Sequence, residues 1–437
     1  MRRTFVPLLL AALTTPHAFG QATSPAVPHL HAPGAAVSAS ASGAATTPGL
    51  TLDVAVQTAL RQNPLLRAAE LEVQASAGGV RQAGALPNPT LGFEQEDTRR
   101  ETRSTTVQLS QLLELGGKRA AREQLARRNR ELAENALASR LAEIKANTTQ
   151  AFFDALIAQE RVRVAEESVR IASGGTAAAG RRVTAGKVSP TEETRARVAE
   201  ANARIELRQA QAERLASLHT LTALMAVPDG SVNQVDGRAE TLPVLPAGAS
   251  LVQRMEQSPV LRRAQLEVQR AQATYDLERA RRVPDVTLSV GAKRSQELGR
   301  NQPVIGISIP LPVFDTNQGA QLEALRRRDA AQAMAQDEAL RLRSEVLQAA
   351  DQLQARSSEV QMLQQEVLPG AQSAYEAASR GFELGKFGFL DVLDAQRTWL
   401  QARAQYLNAL AQVHRAAAEL ERRLGSTNDS PTPGTQP

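Results

Sequence analysis

The chain is 437 residues long, carries 51 Lys and Arg against 46 Asp and Glu for a formal net charge of +5, and has no cysteine. This excludes disulfides, thiolate metal sites and an N-terminal lipid-modified cysteine, and the near balance of charge along helical patterns offers no face for nucleic acid. No segment reaches about 18 uncharged apolar residues, which excludes a protein that crosses a membrane with helices.

At the N-terminus Arg2 and Arg3 precede an apolar run from Val6 to Leu13, with Ala18-Phe19-Gly20 as a small-residue cleavage site before Gln21. Residues 1–20 read as a secretory signal, so the mature protein is expected to be exported. Residues 21–50 are Ala, Ser, Thr, Pro and Gly with almost no charge, the composition of a flexible arm. Within that arm His29 and His31 are candidates for a divalent metal, although two histidines without further ligands make a thin site.

From residue 51 the sequence repeats itself. Asn63-Pro64 with Glu70-Leu71-Glu72-Val73-Gln74 returns as Ser258-Pro259 with Gln265-Leu266-Glu267-Val268-Gln269, and Thr184-Ala185-Gly186-Lys187 returns as Glu383-Leu384-Gly385-Lys386. Repeat 1 covers 51–226 and repeat 2 covers 249–425, joined by a breaker-dense connector at 227–248 and followed by a tail at 426–437. Each repeat predicts a helix, a β-hairpin and two long helices.

The first hairpin is expected at 90–113, as Thr90 to Asp97 and Thr102 to Leu113. The second is expected at 285–309, as Asp285 to Ala292 and Val304 to Ile309. In the second, Val286, Leu288, Val290 and Ala292 alternate with Thr287, Ser289, Gly291 and Lys293, so one face is apolar and the other polar. Gly116-Gly117 stands where strand must become helix, and Gly186 and Gly385 stand where long helices must break; glycine supplies the backbone angles such turns need. A phosphate loop at Gly186-Lys187 or Gly385-Lys386 is excluded, because the glycine spacing and the residue after the lysine are wrong.

The helices carry the strongest period. Leu141, Ile144, Thr148, Ala151, Ala155, Ala158, Val162, Ala165 and Val169 step by alternating threes and fours, and the second repeat matches with Ala339, Leu342, Val346, Ala349, Leu353, Arg356, Val360, Leu363 and Val367. Helices of about 50 residues are expected, roughly 75 Å long. Four short strands cannot hide their edges, and no core is evident where they meet such helices. Pooling strands from several copies into a closed transmembrane barrel, and helices into a tube, resolves both problems.

Leu86-Pro87-Asn88-Pro89 before a strand, Leu113-Glu114-Leu115-Gly116-Gly117-Lys118-Arg119, Ile309-Pro310-Leu311-Pro312-Val313-Phe314-Asp315, and Leu390-Asp391-Val392-Leu393-Asp394-Ala395-Gln396-Arg397 resemble the TolC-like outer-membrane efflux family. The Gly-Gly-Lys-Arg and Pro-Leu-Pro-Val-Phe-Asp elements resemble its heavy-metal branch, of cobalt–zinc–cadmium type. Over residues 50–425 the resemblance implies a mostly α fold with a small β part and a homotrimer with a 12-stranded barrel in the outer-membrane lipid. Below the barrel it implies a periplasmic α-barrel that meets a periplasmic adaptor and an inner-membrane pump of the resistance–nodulation–division type. It implies a passive exit duct for heavy-metal cations, with drugs or other organic solutes as the alternative cargo, no cofactor and no enzymatic chemistry. A periplasmic adaptor would show one helical hairpin between β-rich parts, and a coiled-coil tether would leave the amphipathic strands idle.

Asp391 and Asp394 have two readings. From the residues alone they are helix-start carboxylates, favoured at the positive end of the dipole by about 0.3–1 kcal/mol. The resemblance implies two carboxylate rings at a periplasmic gate. The arginine that the family carries four residues before the first aspartate is Phe387 here. Trp399, Tyr275, Tyr375 and Tyr406 all fall on helical segments, leaving Phe93 as the candidate for an aromatic girdle on the strands.

Overall fold

The computed structural model describes residues 49–425; the signal, most of the arm with His29 and His31, and the tail lie outside them. Capping chemistry sets where the shorter helices begin. Asn63 alone separates α1 (Leu52–Gln62) from α2 (Pro64–Ala83), its Oδ1 accepting the Leu65 amide at 2.9 Å while Pro64 fills a first-turn position that needs no N–H. The Asn63 Nδ2 donates to the Leu224 carbonyl at 2.9 Å, so the same cap ties α2 to the end of α4 (Pro190–Met225). Ser258 and Pro259 start α6 (Pro259–Ala280) in the same way, after the short α5 (Gly248–Glu256). Leu50 pairs with Val235, so the chain just before α1 is stitched to the connector.

The long helices exceed their expected length. α3 (Lys118–Thr184) runs for 67 residues, about 100 Å. Its last third, with Gly174 and Gly180, has poor helix propensity, yet Ala172 and Ala179 are buried there, and packing overrides propensity. α7 (Gln318–Met362) passes through a π-turn at Leu363–Val367 into α8 (Leu368–Glu383). Pro369 stands just after this turn; it lacks an N–H and its ring crowds the preceding carbonyl, and the widened turn absorbs both. α9 (Phe389–Leu424) is the last element of the described residues.

The core lies where α3, α4, α7 and α9 meet, along the middle of α3. Phe152, Leu156 and Ile157 pack with Leu221, Leu342, Val346, Leu353, Leu410 and Val413. At about 1.5–3 kcal/mol per fully buried side chain, these contacts dominate the stability of the bundle. The alanines of the seam, Ala151, Ala155, Ala158 and Ala165, are all buried and let the helices approach closely.

β1 (Thr90–Glu96), β2 (Ser104–Leu113), β3 (Val286–Ser295) and β4 (Arg300–Ser308) form one antiparallel sheet in the order β1-β2-β3-β4. The two hairpins thus join side by side through β2 and β3. The second hairpin is longer than its apolar pattern, which stops at Ala292 and resumes at Val304; the ladder continues through Lys293↔Gln302, Arg294↔Asn301 and Ser295↔Arg300. Backbone pairing is indifferent to polar side chains, so hydrogen bonding outlasts alternation. Among the described residues, no helix covers either face of the sheet, and the outer edges of β1 and β4 have no partner strand.

Candidate functional site: the strand faces and the helix-hairpin tips

The register turns the alternation of single strands into rows across the sheet. Leu91, Leu109, Val290 and Ile305 align in one row, and Phe93, Val107, Ala292 and Pro303 in the next. Leu288 and Ile307 continue the apolar face on the helix side, where their partner on β2 is the polar Gln111. These side chains stand bare, with Leu91 73% and Ile305 82% exposed. The opposite face carries the rows Thr90, Ser110, Ser289 and Gly306, then Gly92, Gln108, Gly291 and Val304, then Glu94, Thr106, Lys293 and Gln302. Lys293 reaches across this polar face to Glu96 at 2.5 Å.

Two corners convert strand to helix. Gly116 and Gly117 have φ of 71° and 75°. A Cβ on Gly116 would sit 2.6 Å from the Val283 Cβ and 2.9 Å from the Ala280 carbonyl oxygen, whereas one on Gly117 would meet open space. Lys118 follows at once and pairs with Asp285 at 2.7 Å, and Asp285 also accepts the Leu115 amide at 3.0 Å. In the second repeat the left-handed residue is Asn317, φ 60°, whose Nδ2 donates to the Glu278 carbonyl at 2.8 Å. The link between Lys118 and Asp285 was not foreseen from sequence, because its partners lie far apart along the chain.

At the other end of the long helices, Gly186 (φ 70°) and Gly385 (φ 76°) terminate α3 and α8 with the same pair of hydrogen bonds. Lys187 N donates to Arg182 O at 2.9 Å and Lys386 N to Gly381 O at 2.8 Å, with Gly186 N and Gly385 N bonding to Val183 O and Phe382 O. The two hairpin tips touch. The Arg182 guanidinium lies 3.8 Å from the centroid of the Phe382 ring, and its Nη2 donates to the Phe382 carbonyl at 2.9 Å. Ala179, Ala196, Phe382 and Leu393 pack beside this contact.

Phe387 folds back onto α8. Its ring lies so close to Gly381 that a Cβ there would overlap it, so Gly381 is needed for the packing of Phe387. Asp391 occupies the third position of α9 and accepts the Gly388 amide at 2.9 Å, which makes it a helix cap. The Asp394 carboxylate, one turn later and also exposed, makes no hydrogen bond or ion pair with any described residue. Arg182, the nearest thing to a charged lock between the tips, was missed because its partner is an aromatic ring rather than a carboxylate.

Among the described residues no group of three or more His, Asp or Glu could hold a metal, and no helix is long and apolar enough to cross a membrane. His414 is buried, stacks on Phe153 at 3.6 Å and bonds the Ala239 carbonyl at 2.8 Å. His219 lies exposed beside Asp229.

Long packed helices that carry a two-faced antiparallel sheet are the architecture of outer-membrane efflux channels. The outer membrane efflux protein family matches residues 55–227 and again 251–426, and the chain belongs to that family of channel proteins of the outer membrane. It is 43% identical over 433 residues to the cobalt-zinc-cadmium resistance protein CzcC of Cupriavidus metallidurans, spanning 97% of this chain and all of that protein. It is 26% identical over 291 residues to the nickel-cobalt-cadmium resistance protein NccC of Alcaligenes xylosoxydans xylosoxydans, spanning 64% and 65% of the two chains. The fold is that of the CusC channel, with a TM-score of 0.74 at 22% identity over 86% of this chain and 92% of CusC. VceC from Vibrio cholerae aligns with a TM-score of 0.72 at 19% identity, over 86% of this chain and 96% of VceC. The protein is an outer-membrane efflux channel whose helices extend into the periplasm.

Proposed function

We propose that three copies close into one transmembrane barrel and conduct heavy-metal cations passively outward, docked to a periplasmic adaptor and an inner-membrane pump of the resistance–nodulation–division type. The single observation that carries this reading is the sheet: one apolar face and one polar face, and, among the described residues, no helix packed on either and two edges without a partner strand. Four strands per copy make twelve in three, an even number within the range of about 8 to 26 that closed outer-membrane barrels use. Because β1 and β4 run antiparallel within the sheet, β4 of one copy meets β1 of the next in the antiparallel sense without any crossing connection. Closure removes both edges, turns the apolar rows to lipid and lines the lumen with the rows of Ser, Thr, Gln and Gly.

Cation cargo is supported by the metals for which CzcC and NccC are named. It is supported also by Asp391 and Asp394, exposed at the start of α9. Three copies would bring six carboxylates together at a narrow mouth, where confined like charge gathers cations and repels anions. Asp391 combines two roles, capping α9 with one oxygen and contributing charge with the whole carboxylate.

Native mass spectrometry in detergent and planar-bilayer recording test this. The expected result is a stable trimer whose cation preference falls when Asp391→Asn and Asp394→Asn are combined. A stable monomer removes the duct; unchanged selectivity in a normal trimer reduces Asp391 to a helix cap and leaves Asp394 with no part in selectivity.

A further inference from the structure

Many arginines among the described residues are paired with carboxylates, although others on the helices, such as Arg61, Arg81, Arg262 and Arg343, are not. Along the helices, residue after residue pairs with a carboxylate three or four positions away, as Arg127 with Glu123, Arg197 with Glu193 and Arg341 with Glu338. At the end of the sheet remote from the helices the unpaired arginines cluster. Among the described residues, Arg99, Arg100, Arg103, Arg294 and Arg300 form no ion pair, although Glu101 and Glu297 stand in the same turns. Of the other carboxylates there, Asp97 is occupied by the Arg99 amide and the Thr102 hydroxyl, and Glu96 by Lys293 and the Ser104 hydroxyl.

Two of these arginines share a face. Arg294 pairs in register with Thr105 on one side and Asn301 on the other, in the row directly beyond Phe93, Val107, Ala292 and Pro303. It therefore projects from the apolar face, one row past the last apolar side chains. The Gln296 amide donates to the Arg103 carbonyl at 3.1 Å, which continues the ladder one step and gives Arg103 the parity of Thr105 and Val107. Arg103 and Arg294 are thus diagonal neighbours across β2 and β3, within about 7–8 Å between backbones. Arg294 donates one bond, to Asn301 Oδ1 at 3.3 Å, which leaves most of its guanidinium fork open. Two like charges on one face, neither in an ion pair with a described carboxylate, repel one another until an anion bridges them. At about 3.4 Å per residue, both lie within roughly 7–14 Å of the last apolar row, the depth of a headgroup layer.

We infer that Arg103 and Arg294 form a phosphate clamp for the phosphorylated glycolipid of the outer leaflet, one clamp on each protomer. The planar fork of arginine matches a phosphate in two-point contact, as the compact ammonium of lysine does not. Charge and position agree: the clamp stands on the lipid-facing side of the sheet at the end away from the periplasmic helices, where phosphate-bearing headgroups are the available anions. Arg99 and Arg100, in the turn between β1 and β2, add diffuse positive charge without sharing the face. This inference rests on the barrel reading above.

The test uses the full-length protein purified in detergent, with retained lipid counted by native mass spectrometry. Probes are bisphosphorylated lipid A, the same lipid with both phosphates removed, and inorganic phosphate as competitor. Outer-membrane fractionation of the same cells serves as a separate readout of the barrel reading. Wild type should retain bisphosphorylated lipid A over the dephosphorylated form. Arg103→Gln combined with Arg294→Gln should lower retention at least about tenfold, the loss of one good charge-assisted contact. The double lysine variant should fall between the two, and the trimer should persist in all. Equal retention by wild type and the glutamine variant, or equal retention of the two lipids, overturns the clamp while outer-membrane fractionation leaves the channel reading intact. Displacement of lipid A by millimolar inorganic phosphate would make this a free-anion site and also overturns the proposal. If the glutamine variant loses its trimer, Arg294→Gln alone is measured in its place, against the same outcomes.

Discussion

Leu109 and Gln108 are adjacent on β2 and sit on opposite faces, so arginine at each position reads the orientation of the sheet directly. Leu109 belongs to the row of Leu91, Val290 and Ile305, inside the apolar band, with Val107 beyond it and Leu113 nearer the helices. An arginine on the lipid side of such a barrel costs about 2–4 kcal/mol near the midplane. Three identical and distant sites add, to roughly 6–12 kcal/mol per trimer. That is of the order of the whole stability of a typical domain, about 5–15 kcal/mol, so Leu109→Arg should not assemble. Gln108 faces the other way and lies between Gly92 and Gly291, where a Cβ on Gly291 would come within 2.7 Å of the Gln108 Cβ. The stem of an arginine can follow the path of the glutamine over those glycines into water, at a cost within about 0.5 kcal/mol of neutral. The assay is outer-membrane fractionation followed by gel mobility with and without boiling, which separates folded trimer from unfolded chain. Equal yields of trimer from Leu109→Arg and Gln108→Arg would refute the assignment of faces, and a reversed order would invert it.

Gly116→Ala should destabilise by about 2–5 kcal/mol, combining a left-handed backbone with overlap onto Val283, whereas Gly117→Ala should cost only the backbone part, about 1–2 kcal/mol; similar melting temperatures for the two would refute the packing argument. Arg182→Gln removes the cation stacked on Phe382 and should loosen the contact between hairpin tips by about 0.5–2 kcal/mol, read as a higher open fraction in planar bilayers; unchanged gating would assign the contact to folding alone. Burial holds the His414 imidazole below its usual pKa of 6.5, against smaller upward effects of its bond to Ala239 and of nearby Asp154. The neutral ring is therefore the native form: its contribution to stability is complete above pH 6.5 and is lost as the pH falls through the lowered native value. The melting temperature should drop on acidification across that window, and His414→Phe, which keeps the stack on Phe153, should flatten the drop; an equally steep profile in the variant would refute the assignment.

Much of this protein is legible in its residues because the information is periodic and local. The seam from Leu141 to Val169, the strand alternation from Val286 to Ala292, the caps at Asn63-Pro64 and Ser258-Pro259, and the breakers at Gly186 and Gly385 each act within a turn or two of the chain, so composition and spacing reveal them. The repeat, read from such signals, already demands partners for its strands. Tertiary structure decided what spacing cannot encode. It aligned two distant hairpins through β2 and β3 and so built continuous apolar rows from residues nearly 200 positions apart. It kept α3 helical past Gly174 by burying Ala172 and Ala179, against their local surroundings. It set Arg182 over Phe382, turned Phe387 onto Gly381, and placed Arg103 diagonal to Arg294. The physical reason is common to all of these: each depends on through-space proximity between segments whose separation along the chain carries no signal until the backbone has folded.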